Sequence, residues 1–125
     1  MLERKCPVLE IMEVLGGKWK IPVLWEIGKA KNIRYNLLKR EVTEITNIML
    51  TRTLTELIEN GLVMKKDFNE NPPRVEYSLT ATGLTLYPHL QNLVAWIKTV
   101  DIYPNEDTPR RPYQRGIYRE ITKKS

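Results

Sequence analysis

The sequence has only one cysteine and one histidine, and this scarcity excludes two kinds of site. A single cysteine cannot form a disulfide within its own chain, so the fold does not depend on one. One cysteine and one histidine also fall short of a typical four-ligand zinc site. No nucleophile–base pair and no glycine-rich phosphate loop is recognisable. The sequence therefore predicts no metal and no cofactor, and it argues against an enzyme.

Long apolar runs are also missing. No stretch approaches the roughly 18 consecutive apolar residues of a membrane span, and residues 1–5 lack the apolar run of a signal peptide. We therefore expect a cytoplasmic protein with no membrane partner. The chain of 125 residues has the length of one domain, and 42% hydrophobic with 28% charged residues is typical of a globular fold.

Positive charge, in contrast, is abundant and concentrated in one stretch. Twenty Lys and Arg against fifteen Asp and Glu give a net charge of +5. Residues 18–66 alone carry ten basic and five acidic side chains. This distribution favours a polyanionic partner, because each phosphate that a basic side chain neutralises releases bound counterions.

Apolar residues recur at helical spacing through the first half of the chain. The pattern predicts one helix from Pro7 to Gly16-Gly17 and a second from about Lys20 to Gly28. Residues 32–34 then form a connector or short strand, and residues 37–42 a third short helix.

A fourth helix is predicted between a capping Thr46 and the Asn60-Gly61 pair, after which the apolar period changes to two. Residues 62–68 and 74–79 are strand-like, and the loop between them gives a hairpin with a projecting tip. Thr80 is expected to cap a long helix that Pro88 kinks or breaks.

This order of elements predicts a mainly α fold with a small β-hairpin, the winged helix-turn-helix. In that fold one helix enters the major groove and the hairpin contacts the flanking DNA backbone. Residues 1–100 would form this DNA-binding and dimerisation domain, and residues 101–125 a basic, proline-containing tail. The three tryptophans lie beside helical apolar positions and are expected to pack in the core: Trp19, Trp25 and Trp96.

Double-stranded DNA is accordingly the predicted partner. The polar face of the fourth helix lies opposite its apolar stripe, and Asn, Arg and Thr side chains are suited to reading base edges. The predicted DNA-binding residues, which include basic candidates for phosphate contact, are Arg34, Lys39, Thr46, Asn47, Ile48, Thr51, Arg52, Thr55 and Arg74.

The last helix carries an apolar stripe that a small domain does not easily cover, which favours a homodimer formed through terminal helices. The predicted dimer-interface residues are Leu86, Leu90, Leu93, Val94 and Ile97. An alternative use of the same fold is a protein-interaction module without DNA specificity. In that case the exposed Ile48 and the basic tail would dock on an acidic partner.

Several motifs together resemble the HxlR-type family of bacterial transcriptional regulators. They are Cys6-Pro7-Val8, Gly16-Gly17-Lys18-Trp19 and Pro72-Pro73-Arg74-Val75-Glu76-Tyr77-Ser78-Leu79-Thr80. The resemblance covers residues 6–100 and implies a winged helix, a homodimer and a palindromic operator. It also implies a response to a chemical or redox cue, but the sequence does not identify an effector.

Cys6 is the candidate for that response. A thiol near a helix N-terminus, with Arg4 and Lys5 beside it, has the surroundings typical of a reactive cysteine. The alternative is a small apolar residue with no chemical role, since free cysteines are commonly buried and inert.

Overall fold

The computed structural model describes residues 6–100, so the predicted tail at 101–125 lies outside the described residues. The described elements are α1 (Pro7–Leu15), α2 (Lys20–Ala30), β1 (Ile33–Arg34), α3 (Tyr35–Glu41), α4 (Asn47–Glu59), β2 (Val63–Asp67), β3 (Val75–Leu79) and α5 (Ala81–Ile97). The three strands form an antiparallel sheet in the order β1-β3-β2. The chain divides into two compact units, one ending at Pro88 and the other beginning at His89.

The core of the first unit lies between α2, α3, α4 and the sheet. α2 contacts α3, α4 and β3, and α4 also contacts β2. The side chains that fill this space are less than 2% exposed: Val23, Leu24, Ile27, Leu38, Leu50, Leu57 and Val63. These contacts hold α3 and α4 as a helix pair against the sheet, as the predicted fold requires. No helix in residues 6–100 combines the length and apolar character needed to span a bilayer.

The second helix begins at Lys20 as predicted and ends at Ala30, two residues beyond Gly28, so Gly28 lies in its last turn. A side chain at Gly28 would collide with the ring of Tyr87, which also packs on Trp25 with 5.4 Å between ring centroids. Gly28 is therefore explained by the close approach of this aromatic ring rather than by a helix end. The sequence around Gly28 does not predict this contact, because Tyr87 lies far from Gly28 along the chain.

The start of α5 is fastened to the end of α4. Thr80 Oγ1 accepts a hydrogen bond from the Gly83 amide at 3.0 Å and donates to the Gly61 carbonyl at 2.6 Å. The Thr80 amide donates to the Leu62 carbonyl at 3.0 Å, and a side chain at Gly83 would overlap that same carbonyl oxygen. Thr80 thus caps α5 as predicted. α5 runs without interruption through Pro88, so the alternative of two separate helices was wrong.

The prediction that the three tryptophans pack in the core does not hold for all of them. Trp19 and Trp25 are half-buried, but Trp96 is 51% exposed, so its assignment to the core was wrong. Trp96 lies near the end of α5, and a helical apolar pattern does not distinguish a residue that faces the core from one that faces outward.

None of the nine residues of helix α1 is buried, and all but the half-buried Leu15 are exposed. Its large apolar side chains are between 36% and 60% exposed: Val8, Leu9, Ile11, Met12 and Val14. Isolated helices shorter than about 12–15 residues are marginal in water, so packing normally supplies most of the stability of a helix this short. The described residues do not bury this apolar surface.

Candidate nucleic-acid interface

The N-terminus of α4 is defined by a side-chain cap. Thr46 has extended backbone angles, and its Oγ1 accepts a hydrogen bond from the Met49 amide at 3.1 Å. This bond satisfies one of the amides that a helix leaves free in its first turn. Asn47 is therefore the first residue of the helix, and the capping role predicted for Thr46 is confirmed.

The two faces of α4 differ as the 100° rotation per residue predicts. Leu50, Leu54 and Leu57 are buried in the core. The polar side chains on the remaining surface are exposed, namely Asn47, Thr51, Arg52, Thr55 and Glu59. Ile48 is 75% exposed and stands among them. The structure thus brings the predicted reading residues of α4 to one accessible surface.

The hydroxyl group of Tyr35 lies among the first residues of α4. It is 3.2 Å from the backbone oxygen of Asn47, 3.2 Å from Asn47 Oδ1 and 3.3 Å from Thr51 Oγ1. Tyr35 is the first residue of α3, and its side chain is half-buried. Sequence reasoning assigned it no role, because these contacts join residues 12 and 16 positions apart. The contacts of Tyr35 with Asn47 and Thr51 are tertiary, so the local sequence does not predict them.

Tyr35 follows directly on β1, in which Ile33 pairs with Tyr77 of the central strand β3. The pKa of Tyr77 is raised first by burial and then by the charge that Tyr35 can carry.

The β2–β3 hairpin carries a cluster of charged groups around one aromatic ring. The guanidinium carbon of Arg74 lies 3.8 Å from the centroid of Phe68, and Lys66 Nζ lies 4.8 Å from the same centroid. Arg74 Nη2 is also 3.3 Å from Glu70 Oε2. The Arg74 side chain is 31% exposed, so it is held against the hairpin by a cation–π contact and an ion pair.

The other predicted residues lie outside α4 and the hairpin. Arg34 in β1 is exposed and Lys39 in α3 is half-buried. On α5, Leu93 is 56% exposed and Leu90 is 4% exposed, while Leu86, Val94 and Ile97 are half-buried. Cys6 is exposed and unpaired with another cysteine, at the N-cap position of α1, directly before Pro7.

A capped helix with an exposed polar face, next to a charged hairpin, is the arrangement of a winged helix-turn-helix. Comparison with known families agrees, since residues 14–103 match the HxlR-like helix-turn-helix. The chain belongs to the HxlR-like helix-turn-helix family. It is a DNA-binding transcriptional regulator, and its relatives carry corresponding names.

Two relatives of this HxlR-like regulator come from Bacillus subtilis strain 168. YkvN, an HTH-type transcriptional regulator, is 48% identical over 96 residues, which are 77% of this chain and 80% of YkvN. YdzF, also an HTH-type transcriptional regulator, is 38% identical over 93 residues, which are 74% of this chain and 85% of YdzF. The similarity therefore extends over most of both proteins.

Solved structures of redox-related regulators have the same fold. The oxidized form of the redox regulator HypR aligns with a TM-score of 0.71 and 36% identity, covering 78% of this chain and all of HypR. The reduced form of the transcriptional regulator YodB from B. subtilis aligns with a TM-score of 0.67 and 25% identity, covering 82% of this chain and all of YodB.

Proposed function

We propose that this regulator binds a palindromic operator as a homodimer, with each α4 in the major groove and each hairpin on the flanking backbone. The observation that carries the proposal is the exposed reading surface of α4, formed by Asn47, Ile48, Thr51, Arg52 and Thr55 on a helix whose opposite face is buried. The α4 N-terminus adds free backbone amides, which favour a nearby phosphate. The regulator acts without catalysis, in the cytoplasm where the DNA is.

Two basic residues have different roles in this proposal. Arg52 lies on the exposed face of α4 and can donate two hydrogen bonds to guanine. Arg74 is held on the hairpin by Phe68 and Glu70, so it can reach a phosphate only from that fixed position. We assign base reading to Arg52 and sequence-independent contact to Arg74.

Arg52→Ala is expected to reduce discrimination between the operator and a scrambled duplex by about tenfold or more, because one bidentate base contact contributes about 1–3 kcal/mol. Arg74→Ala should weaken binding to both duplexes alike. Fluorescence anisotropy with DNA from upstream of the protein's own gene and a scrambled duplex measures both effects. If the two variants exchange these phenotypes, base reading belongs to the hairpin and the assignment is wrong.

The dimer would be formed through terminal helices. α1 presents apolar side chains that the described residues leave exposed, and α5 presents Leu93 and Trp96, which are 56% and 51% exposed. A second copy of the chain offers the same surfaces, which is the geometry of a two-fold interface. Two copies of α4 would then meet successive major grooves about one helical turn apart.

We further propose that Cys6 makes DNA binding sensitive to oxidants or electrophiles. Its thiol is exposed beside α1, a helix assigned to the dimer interface, so a modification there changes the surface on which the subunits meet. HypR is described as a redox regulator, and YodB has been solved after treatment with diamide. With one cysteine per chain, oxidation would give a disulfide between subunits or a mixed disulfide, whereas an electrophile would form an adduct.

Oxidant treatment is expected to weaken operator binding at least tenfold in the native protein and to leave Cys6→Ser unaffected. The physical reason is that a covalent addition beside α1 alters the spacing of the two α4 helices, which a palindromic operator requires to be constant. Anisotropy before and after treatment, with non-reducing electrophoresis of the same samples, tests this. Equal binding by oxidised and reduced native protein would leave Cys6 with a structural role only.

A second function remains compatible with one observation. Ile48 is 75% exposed on a surface assigned to DNA, and exposed apolar side chains also occur in protein-binding sites. In that case the protein would use the DNA-binding fold to dock on an acidic protein. Equal affinity for operator candidates and scrambled DNA, together with a stoichiometric copurifying partner, would favour this second function.

A further inference from the structure

One arrangement of protons satisfies all three contacts of the Tyr35 hydroxyl. A tyrosine hydroxyl has a single proton to donate, and both atoms of Asn47 beside it, the backbone oxygen and Oδ1, can only accept. In this arrangement that proton points toward Asn47. Thr51 Oγ1, 3.3 Å from the same hydroxyl in a contact where either oxygen can be the donor, then donates its own proton to the Tyr35 oxygen.

This arrangement determines what Thr51 can offer to a ligand. Its only proton is committed to Tyr35, so its oxygen presents lone pairs alone. Thr55 is committed in a similar way, because its hydroxyl donates to the Thr51 carbonyl at 2.9 Å. Both threonines of the exposed α4 surface therefore act as hydrogen-bond acceptors.

Asn47 has the opposite character. Its Oδ1 receives the Tyr35 proton, which turns this end of the amide toward α3. Within residues 6–100 the amide nitrogen of Asn47 has no acceptor, and the side chain is exposed. Asn47 thus presents two N–H groups outward at the start of the helix.

We propose that Tyr35 is a positioning residue that sets the hydrogen-bonding polarity of the reading surface, with Asn47 as the donor and Thr51 as an acceptor. The proposal rests on the proposed function, since it concerns how α4 reads DNA. Thr51 would select bases with an amino group in the major groove, which are cytosine and adenine. Asn47 would select acceptors such as guanine O6 or N7, thymine O4 or a phosphate oxygen.

Tyr35→Phe keeps the ring and removes only the hydroxyl. Thr51 can then rotate and donate, and the Asn47 amide can turn over, so thymine and guanine become acceptable opposite Thr51. We expect the base preference at the positions read by Thr51 and Asn47 to fall about fivefold, the effect of one hydrogen bond. Preferences at the other operator positions, the salt dependence of binding and the thermal unfolding midpoint should stay unchanged.

The experiment is a selection of duplexes from a random-sequence DNA library by the full-length protein, followed by sequencing of the bound fraction. The variants are Tyr35→Phe, Thr51→Val and their combination, with Tyr87→Phe as the matched control. Tyr87 packs on Trp25 and loses the same hydroxyl without touching Asn47 or Thr51. At the position read by Thr51, the combined variant should lose no more base preference than Thr51→Val alone, because Tyr35 acts there through Thr51.

The outcomes separate this inference from the function on which it rests. A motif that broadens only at those positions in Tyr35→Phe supports the proposal. An unchanged motif overturns it while leaving the DNA-reading function intact, and so does a uniform loss at every position accompanied by a lower unfolding midpoint. If the native protein itself selects no motif, sequence-specific reading fails, and the proposal fails with it.

Discussion

Raising the salt concentration from about 50 to 200 mM is expected to weaken operator binding by about a thousandfold. Each subunit brings four basic residues to the proposed interface, namely Arg34, Lys39, Arg52 and Arg74. A dimer would therefore make roughly six to eight phosphate or base contacts through basic groups, and neutralising phosphates releases counterions whose return is favoured by added salt. Anisotropy titrations at several salt concentrations give the slope. A slope near zero would contradict a phosphate-dominated interface.

Single substitutions show which residues produce that slope. Arg34→Gln removes one contact from each subunit, so the slope should fall by about two. Lys29→Gln is the matched control, because Lys29 is 56% exposed, pairs with Glu26 at 3.1 Å and belongs to no predicted contact. Arg74 should contribute less than Arg34, since Glu70 already compensates part of its charge. Glu70→Gln is accordingly expected to strengthen binding to any duplex.

Local features of the fold could be predicted because they depend on neighbours in sequence. Thr46 and Thr80 were predicted as caps from their place before an apolar helical pattern, and both make the capping hydrogen bond. The exposed face of α4 followed from rotation about the helix axis alone. Such features need no knowledge of what packs against the helix.

Features that depend on distant partners were missed. A glycine is typical of a helix end, but the glycine at position 28 is explained by the close approach of the Tyr87 ring. The role of Tyr35 depends on the α3–α4 contact. In each case a side chain from another element decides what the residue does.

Helix α1 combines both situations. Its apolar spacing correctly predicted a helix from Pro7 to Leu15, but spacing does not tell which surface covers the apolar face. The structure leaves that face uncovered within residues 6–100. A helix of this length with no buried residue is only marginally stable by itself in water. Association of two chains would supply the missing packing.

Ile11→Glu is therefore expected to convert the proposed dimer to a monomer and to lower operator affinity by about a hundredfold or more. Ile11 is 53% exposed on α1, and a carboxylate there would be buried without a partner in the interface, next to Glu10. A monomer can contact only one half-site, so it loses the second contact that the dimer makes at high effective concentration. Sedimentation velocity and anisotropy on the same preparation measure both changes.

Ala30→Glu is the control, because it adds the same charge at an exposed position at the end of α2. It should leave the dimer and the operator affinity unchanged. A dimeric Ile11→Glu protein would show that α5 alone holds the subunits together and that α1 serves another contact. A monomer that binds the operator as tightly as the native protein would contradict the palindromic mode. It would show that a second half-site contributes nothing to the affinity of the native protein.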